Sequence, residues 1–405
     1  MRIRWDMGLG RELGLVFWAL SLFEAAYGTW ATIWPLWIEH LGASIGTVGI
    51  LLSLGGLIRP FILIGGTWLA DRVNTKWMLV IARSMLVGGI AFSAFARSWE
   101  YLLITIMLNG FGEIVFPALH AHIPVHAGKD VARAFSITCT IGPSVALLVT
   151  PLFASQVIDA FGMQGGLLLA AGFSAIGTVI ITRMDFSEDR AFSRASDPGT
   201  MMQLFRHVAS RDVILIHALT MFSLGIGSML LPNFLQDERG LSPATITLFS
   251  TGAALGTLTF GFIGLRMPAA RRAPFLAAAW SIAVTALAFV LLASSPWLVV
   301  IAVAFVFRGG MFATWTYLLG AIGQYAPQRL QTRAFAVVEI LGGGALSFSP
   351  IVAAWLYNMD AIMPLVVSAI ASTLMALVVV WRFRRGFEDA NVAPEAELAP
   401  QTPAA

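Results

Sequence analysis

The sequence predicts an all-α integral membrane protein with twelve transmembrane helices in two six-helix, pseudo-symmetric halves, and three observations predict it. The chain of 405 residues is 58% hydrophobic and only 12% charged, where soluble domains run near ~45–50% apolar and ~25% charged. Twelve apolar stretches reach the roughly 20 residues that a helix needs to cross a bilayer. The basic residues are also sorted. Of 25 lysines and arginines, all but Arg59, Arg83, Arg97, Arg239 and Arg308 fall on the face that twelve spans assign to both termini, which marks that face as cytoplasmic.

Arg2, Arg4 and Arg11 precede the first span, near 13–38, which is too long for a signal-peptide core and reads as a retained helix. Spans 2 to 6 follow near 45–69, 77–96, 99–120, 134–157 and 164–182. A polar stretch containing Ser196, Asp197, Pro198 and Gly199 separates them from spans 7 to 12, near 213–235, 244–266, 273–293, 297–321, 334–356 and 361–381. The expected organisation is a half over 1–182, a cytoplasmic linker over 183–212, a second half over 213–381 and a disordered cytoplasmic tail over 382–405, rich in Ala, Pro and Glu. Within the linker, Met201, Leu204, Phe205 and Val208 recur at helical spacing beside Arg206 and Arg211. That pattern suits a short helix on the inner membrane surface or a plain connector.

Composition excludes several function classes. The lone Cys139 permits no intrachain disulfide and argues against a redox or thiolate-metal site. The net charge of +3 follows from topology and does not point to nucleic acid. No Walker loop, zinc-protease pair, dinucleotide fingerprint or serine elbow stands in a plausible setting, so an enzyme is not expected. No cofactor or metal is expected either.

An internal repeat supports two halves. Arg133-Ala134-Phe135-Ser136 opens span 5 and Arg333-Ala334-Phe335-Ala336 opens span 11 at an offset of 200 residues, with Gly142 and Gly342 nine residues into each. Pro35 with Leu41-Gly42-Ala43-Ser44 is echoed by Pro232 with Arg239-Gly240-Leu241-Ser242. Between spans 2 and 3, Gly66, Leu69-Ala70-Asp71-Arg72 and Lys76 form a short charged turn. It resembles the loop signature of the major facilitator superfamily, with departures at Thr67, Asn74 and Thr75. The resemblance spans about residues 11–382. It implies two halves rocking about a site near the bilayer midplane, with spans 1, 4, 7 and 10 lining the cavity.

Ionisable groups deep in a span are costly and pair, snorkel or line a wet cavity. Glu24 shares a helical face with Phe17, Tyr27 and Ala31 in span 1, and Glu113 shares one with Asn109, Phe116 and Pro117 in span 4. Arg308 in span 10 is continued by Phe312 and Trp315. Glu24, Tyr27, Asn109, Glu113, Arg308, Phe312 and Trp315 are therefore the candidates for substrate contact or proton coupling. The alternative for Glu24 and Arg308 is a structural ion pair. Glu113 and His120 would suit a proton relay, whereas His120, His122 and His126 lack a metal-ligand spacing. Arg59 and Glu339 are candidates for an interdomain pair, Arg83 is expected to snorkel to the cytoplasmic surface, and His217 reads as a satisfied packing residue.

Gly142-Pro143 in span 5 is similar to an element of drug/proton antiporters in the superfamily, although Thr138 and Ala146 replace its other glycines. The resemblance also places Asp71 near the start of span 11, where it could pair with Arg333 as an inner latch, and Arg72 or Lys76 could meet Asp130. The expected function is a secondary active transporter working by alternating access as a monomer in the plasma membrane, coupled to protons and exporting a lipophilic or amphipathic small molecule, with the lipid bilayer, that substrate and protons as its partners and no nucleic acid. Alternatives are proton-coupled uptake of a polar or anionic metabolite, and a non-transporting membrane sensor on the same scaffold.

Overall fold

A computed structural model of the chain describes residues 5–70, 74–128, 130–186, 205, 208–266, 274–326 and 331–390. Among these residues the only regular structure is helical. The first helices are α1 (Arg11–His40), α2 (Ile45–Ala70) and α3 (Thr75–Ala94). Asn74 caps α3, its side-chain oxygen accepting from the Lys76 amide at 3.1 Å, which satisfies one of the donors a helix start leaves free. Asn74, a departure from the loop signature, thus serves as a helix cap.

Span 4 is not one rod. It consists of α4 (Leu102–Gly112) and α5 (Val115–His126), interrupted at Glu113 and Ile114. Span 10 is likewise α12 (Leu298–Arg308) and α13 (Gly310–Tyr325), interrupted at Gly309. Between them lie α6 (Val131–Phe135), a π-helical turn at Ser136–Ile141, α7 (Gly142–Ile181), α8 (Val208–Ser228), α9 (Leu231–Asp237), α10 (Pro243–Arg266) and α11 (Pro274–Ser294). The chain closes with α14 (Gln331–Tyr357) and α15 (Met363–Ala390). The last helix runs through Ala390, past the expected onset of the tail at 382.

Eight helical stretches among the described residues meet the length and apolarity needed to cross a membrane. One of them, Arg133–Ile181, turns back on itself at Gly162, whose φ of 69° lies in the left-handed region. A residue without Cβ holds that conformation at little cost. Gly166 then packs on Ile158, a contact a straight helix could not make. α1, α2 and the α4–α5 stretch fall outside the eight.

The helices α1 to α7 and the helices α8 to α15 pack mainly among themselves, and two seams join the sets: α7 against α10, and α2 against α14. The seams are tight on the face opposite the termini. Gly49 lies against Pro350 and Ala354, and Thr32 hydrogen-bonds Ser250 at 2.8 Å. Asn233 donates to Glu39 and to the Pro35 carbonyl, while the Tyr357 hydroxyl donates to Asp237 at 2.7 Å. The polar contacts on the terminal face are of another kind. Glu12 accepts from the Asp185 amide at 3.0 Å and lies 3.9 Å from His122, and Arg382 pairs with Asp212 at 2.6 Å, so each ties one set to itself. Among the described residues the molecule is therefore sealed on the face opposite its termini.

Half-burial raises the Glu39 carboxyl above its ordinary range; the Asn233 bond opposes that shift and the Asp237 charge adds to it. The sealed arrangement consequently binds the Glu39 proton more tightly than a hydrated, open one would. Closure is then favoured as pH falls toward glutamate's ordinary value of about 4.3 and weakens as pH rises above it. In a Cys139→Ser background, spin labels at Ser44→Cys and Ser242→Cys should show a growing long-distance population as pH is raised, and Glu39→Gln should flatten that dependence. An unchanged distance distribution across the titration would refute this assignment.

Candidate functional site

A cavity of about 250 Å³ lies where the two sets of helices meet. Its walls come from α1, α7, α10, α12 and α13, and Pro35, Leu231, Pro232 and Ile246 help close it on the sealed side. Three of the seven predicted substrate or coupling residues line it: Tyr27, Arg308 and Phe312. Tyr27 and Phe312 retain 45% and 49% exposure, so both aromatic faces remain available to an occupant. Behind Tyr27 the rings of Trp30 and Trp34 follow edge-to-face at 6.2 and 5.3 Å, an arrangement that aromatic quadrupoles favour.

The remaining candidates form a polar layer beside this cavity. Arg83 organises its first half. It does not snorkel: at 3% exposure it turns inward, lies 3.5 Å over the Phe23 ring and donates to the Ser174 hydroxyl at 3.0 Å and to the Gly112 carbonyl at 3.4 Å. Glu24 and Glu113 are both within its electrostatic reach. Gly112 is the last residue of α4, so Arg83 satisfies a carbonyl that the break leaves free.

Glu113 itself pairs with Arg59 of α2 at 3.2 Å. Arg59 was expected opposite Glu339. The structure instead gives it an acid in its own half, with Glu339 also within electrostatic reach. Glu339 accepts from the Trp315 indole at 3.0 Å, and Trp315 packs edge-on against His217 with centroids 5.0 Å apart. Trp315 therefore belongs to this layer and not to the cavity wall. His217 packs against Gly342 as expected, but neither ring nitrogen has a hydrogen-bond partner among the described residues, so it is not satisfied. Asn109 points to Gly89 of α3, away from the cavity.

Arg308 differs from the other two intramembrane arginines. No acid pairs with it among the described residues, and its guanidinium lies 5.5 Å from the Phe305 ring; its buried Nε lacks a partner there, as that of Arg83 does, but Arg83 has oxygen acceptors on its other nitrogens. The Glu24–Arg308 ion pair, the alternative weighed for these two residues, is not formed among the described residues, and Tyr27 stands within electrostatic reach of both groups. The α12–α13 break beside Arg308 is held from a neighbouring helix: Thr257 donates to the Gly309 carbonyl at 3.3 Å.

Other expectations resolve unevenly. Asp71 and Arg72 lie outside the described residues, as do most of the linker residues and the side chain of Arg333, so the proposed latch with Arg333 stays unplaced. Lys76 is the second residue of α3. Asp130, just before α6, is 4.0 Å from Arg133 of that helix. His120 is exposed and lies by Phe135, with ring centroids 6.3 Å apart, while His122 stacks near His126 and Phe186. No group of three His, Cys, Asp or Glu side chains among the described residues could hold a metal.

Sequence reasoning missed Arg83 as an internal group, together with Ser174, Thr257, Glu39 and Asn233. Arg83 carried a signal in being charged within a span. The hydroxyl and amide partners carried none, because Ser, Thr and Asn are common in membrane helices and only packing selects those that bond across.

Comparison with known proteins gives a consistent result. A family model described as Major Facilitator Superfamily matches residues 16–326 and 213–404. A probable 3-phenylpropionic acid transporter of Escherichia coli K12 is 28% identical over 160 residues, covering 36% of this chain and 41% of that protein. A multidrug resistance protein MdtH of Aeromonas hydrophila is 26% identical over 167 residues, covering 40% and 42%. The matches thus span only about two fifths of these curated relatives. A crystal structure of a mutant of the nucleoside transporter NupG superposes with a TM-score of 0.78 at 18% identity, covering 92% of this chain and all of that one, which shows the fold.

Gly142, directly after the π-helical turn, is a close approach of α7 to α1. A Cβ there would stand 2.7 Å from the Phe17 ring and would collide with the Ser21 hydroxyl. Gly142→Ala is expected to destabilise the protein by about 1–3 kcal/mol, the usual range for overpacking. The check is a lowered midpoint in detergent thermal unfolding, with a larger fall for Gly142→Val.

Proposed function

The chain belongs to the major facilitator superfamily, and from that premise we propose that it is a secondary active transporter that works by alternating access and is coupled to protons. The observation that carries the coupling is the intramembrane layer Glu24, Arg83, Glu113 and Arg59, which stands beside the cavity and not in it. Glu113 is the pivot. Protonating it removes its attraction for Arg59, and Arg59 is also within reach of Glu339 in the other half. A proton on Glu113 would then shift a cation from an intradomain to an interdomain partner, which gives proton binding a differential effect on the two arrangements of the halves. Neutralising an acid also lowers the cost of moving it between environments.

The terminal face is proposed to be cytoplasmic, on the distribution of basic residues, and the membrane to be the plasma membrane. The sealed arrangement is then inward-facing. An inner latch between Asp71 and Arg333 would close in the opposite state. Export of a lipophilic or amphipathic molecule is supported by the aromatic cavity wall and by the likeness to a protein named for multidrug resistance. Proton-coupled uptake of an anionic compound is the second reading, favoured by Arg308 and by the relative named as a phenylpropionic acid transporter.

In proteoliposomes carrying an interior pH dye, an imposed pH gradient should drive substrate in one direction with matching proton movement. Glu24→Gln and Glu113→Gln should each reduce gradient-driven flux by about tenfold or more, while solute-driven counterflow without a gradient persists. Wild-type gradient-driven flux in both variants would remove the coupling assignment.

A further inference from the structure

Arg308 is a cation in a cavity that contains no acid, and the surrounding polar groups are mostly committed elsewhere. Building on the transporter reading, we propose that this cavity binds a small organic monoanion with an apolar or aromatic body, its carboxylate held by Arg308 and its body by Tyr27 and Phe312. Direction of transport does not enter.

Charge is the first argument. Arg59 has Glu113, and Arg83 has two oxygen acceptors with two acids in reach. Arg308 has neither an ion pair nor an oxygen acceptor among the described residues, and no Asp or Glu lines the cavity. An arginine held in a membrane interior is costly until it is paired, and an occupant bringing one negative charge supplies the missing pair. A planar guanidinium fork matches a carboxylate in two parallel hydrogen bonds. One unpaired cation also argues for a monoanion over a dianion.

The walls give the second argument. Thr32 and Ser250 bond each other, Thr257 bonds the Ala253 and Gly309 carbonyls, and Ser228 donates to the Met311 sulfur. These hydroxyls have their partners inside the protein, which leaves Ser144 and the Tyr27 hydroxyl as the lining hydroxyls without one among the described residues, so a sugar-like or polyhydroxylated body would lose more hydrogen bonds to water than it regains. The exposed faces of Tyr27 and Phe312, with Leu147 and Met229, offer apolar contact instead. Size is the third argument. About 250 Å³ is just below the roughly 300–1,000 Å³ over which ligand pockets run. One ring with a short acid-bearing chain suits that volume.

Isothermal titration of the purified protein in nanodiscs near neutral pH tests this with four probes: 4-phenylbutyrate, its neutral amide, the amine of the same skeleton, and glucuronate as a hydroxyl-rich monoanion. The expected order places 4-phenylbutyrate about tenfold or more tighter than the amide, as a charge-assisted bond to a buried cation requires, and leaves the amine and glucuronate without measurable binding. Arg308→Gln should abolish the preference for acid over amide, and Arg308→Lys should retain part of it. Equal binding of acid and amide by the wild-type chain, tighter binding of glucuronate, or an unchanged preference in Arg308→Gln would overturn the proposal. The wild-type series decides the matter even where a variant fails to fold. Because the measurement is of equilibrium binding without a gradient, its failure is separate from a failure of proton coupling.

Discussion

The constraint on which the rest of the structure depends is the cost of placing charge inside hydrocarbon. Arg83 shows how that cost is met. It is set among α1, α3, α4 and α7, with an aromatic ring under its guanidinium, the Gly112 carbonyl and Ser174 hydroxyl accepting from it, and Glu24 and Glu113 nearby. A charge so enclosed becomes a structural element, because removing any one partner strands the others. The first half of the molecule is organised around this neutralised group.

The broken helices follow from the same requirement applied to the backbone. Interrupting a membrane helix frees amides and carbonyls that lipid cannot satisfy, and such breaks persist only where protein or water answers them. At Glu113 and Ile114 the chain tightens into i→i+3 bonds, Glu113 to Gly110 and Ile114 to Phe111 at 3.3 and 3.2 Å, and Arg83 takes the Gly112 carbonyl. At Gly309 the amide bonds Val306 at 3.1 Å and Thr257 takes the carbonyl. Gly309 and Gly256 permit this by letting the backbones of α10 and α12 touch. Both breaks fall beside a charged residue, Glu113 in one case and Arg308 in the other, so the irregular backbone and the ionisable groups occupy the same level of the molecule.

Much of this was legible in the sequence. The depth of Glu24, Glu113 and Arg308 followed from counting along apolar runs, and Tyr27 and Phe312 followed from helical spacing, since both measures are properties of one helix. Partner choice was not legible. Whether Arg59 meets Glu113 or Glu339, and whether Arg83 turns to the surface or inward, depends on the azimuth of one helix against others, which hydropathy does not encode. Trp315 makes the same point: seven residues beyond Arg308 it shares the predicted face, yet the break at Gly309 lies between them and the indole turns to Glu339. The seal between Glu39 and Asn233 was hidden because each residue alone looks like an ordinary polar group at a span end.

The two halves treat their charges differently, and this asymmetry bears on mechanism. In the first half every described intramembrane cation has an acid at hand, which makes the protonation state of those acids the variable. In the second half Glu339 is engaged by an indole, while Arg308 faces the cavity without an acid. A proton therefore changes most where the charges are already balanced, and an anion changes most where they are not. Tyr27 stands between the two, within electrostatic reach of Glu24 and Glu113 on one side and Arg308 on the other. A ligand seated on Arg308 and a proton seated on Glu113 would thus act on separate groups through one shared wall, so coupling between them needs no direct competition for a single carboxylate. What such coupling does need is a difference in affinity between the two arrangements of the halves, and the electrostatic reach of Arg59 toward Glu339, like that of Tyr27 toward Arg308, crosses between them at that level.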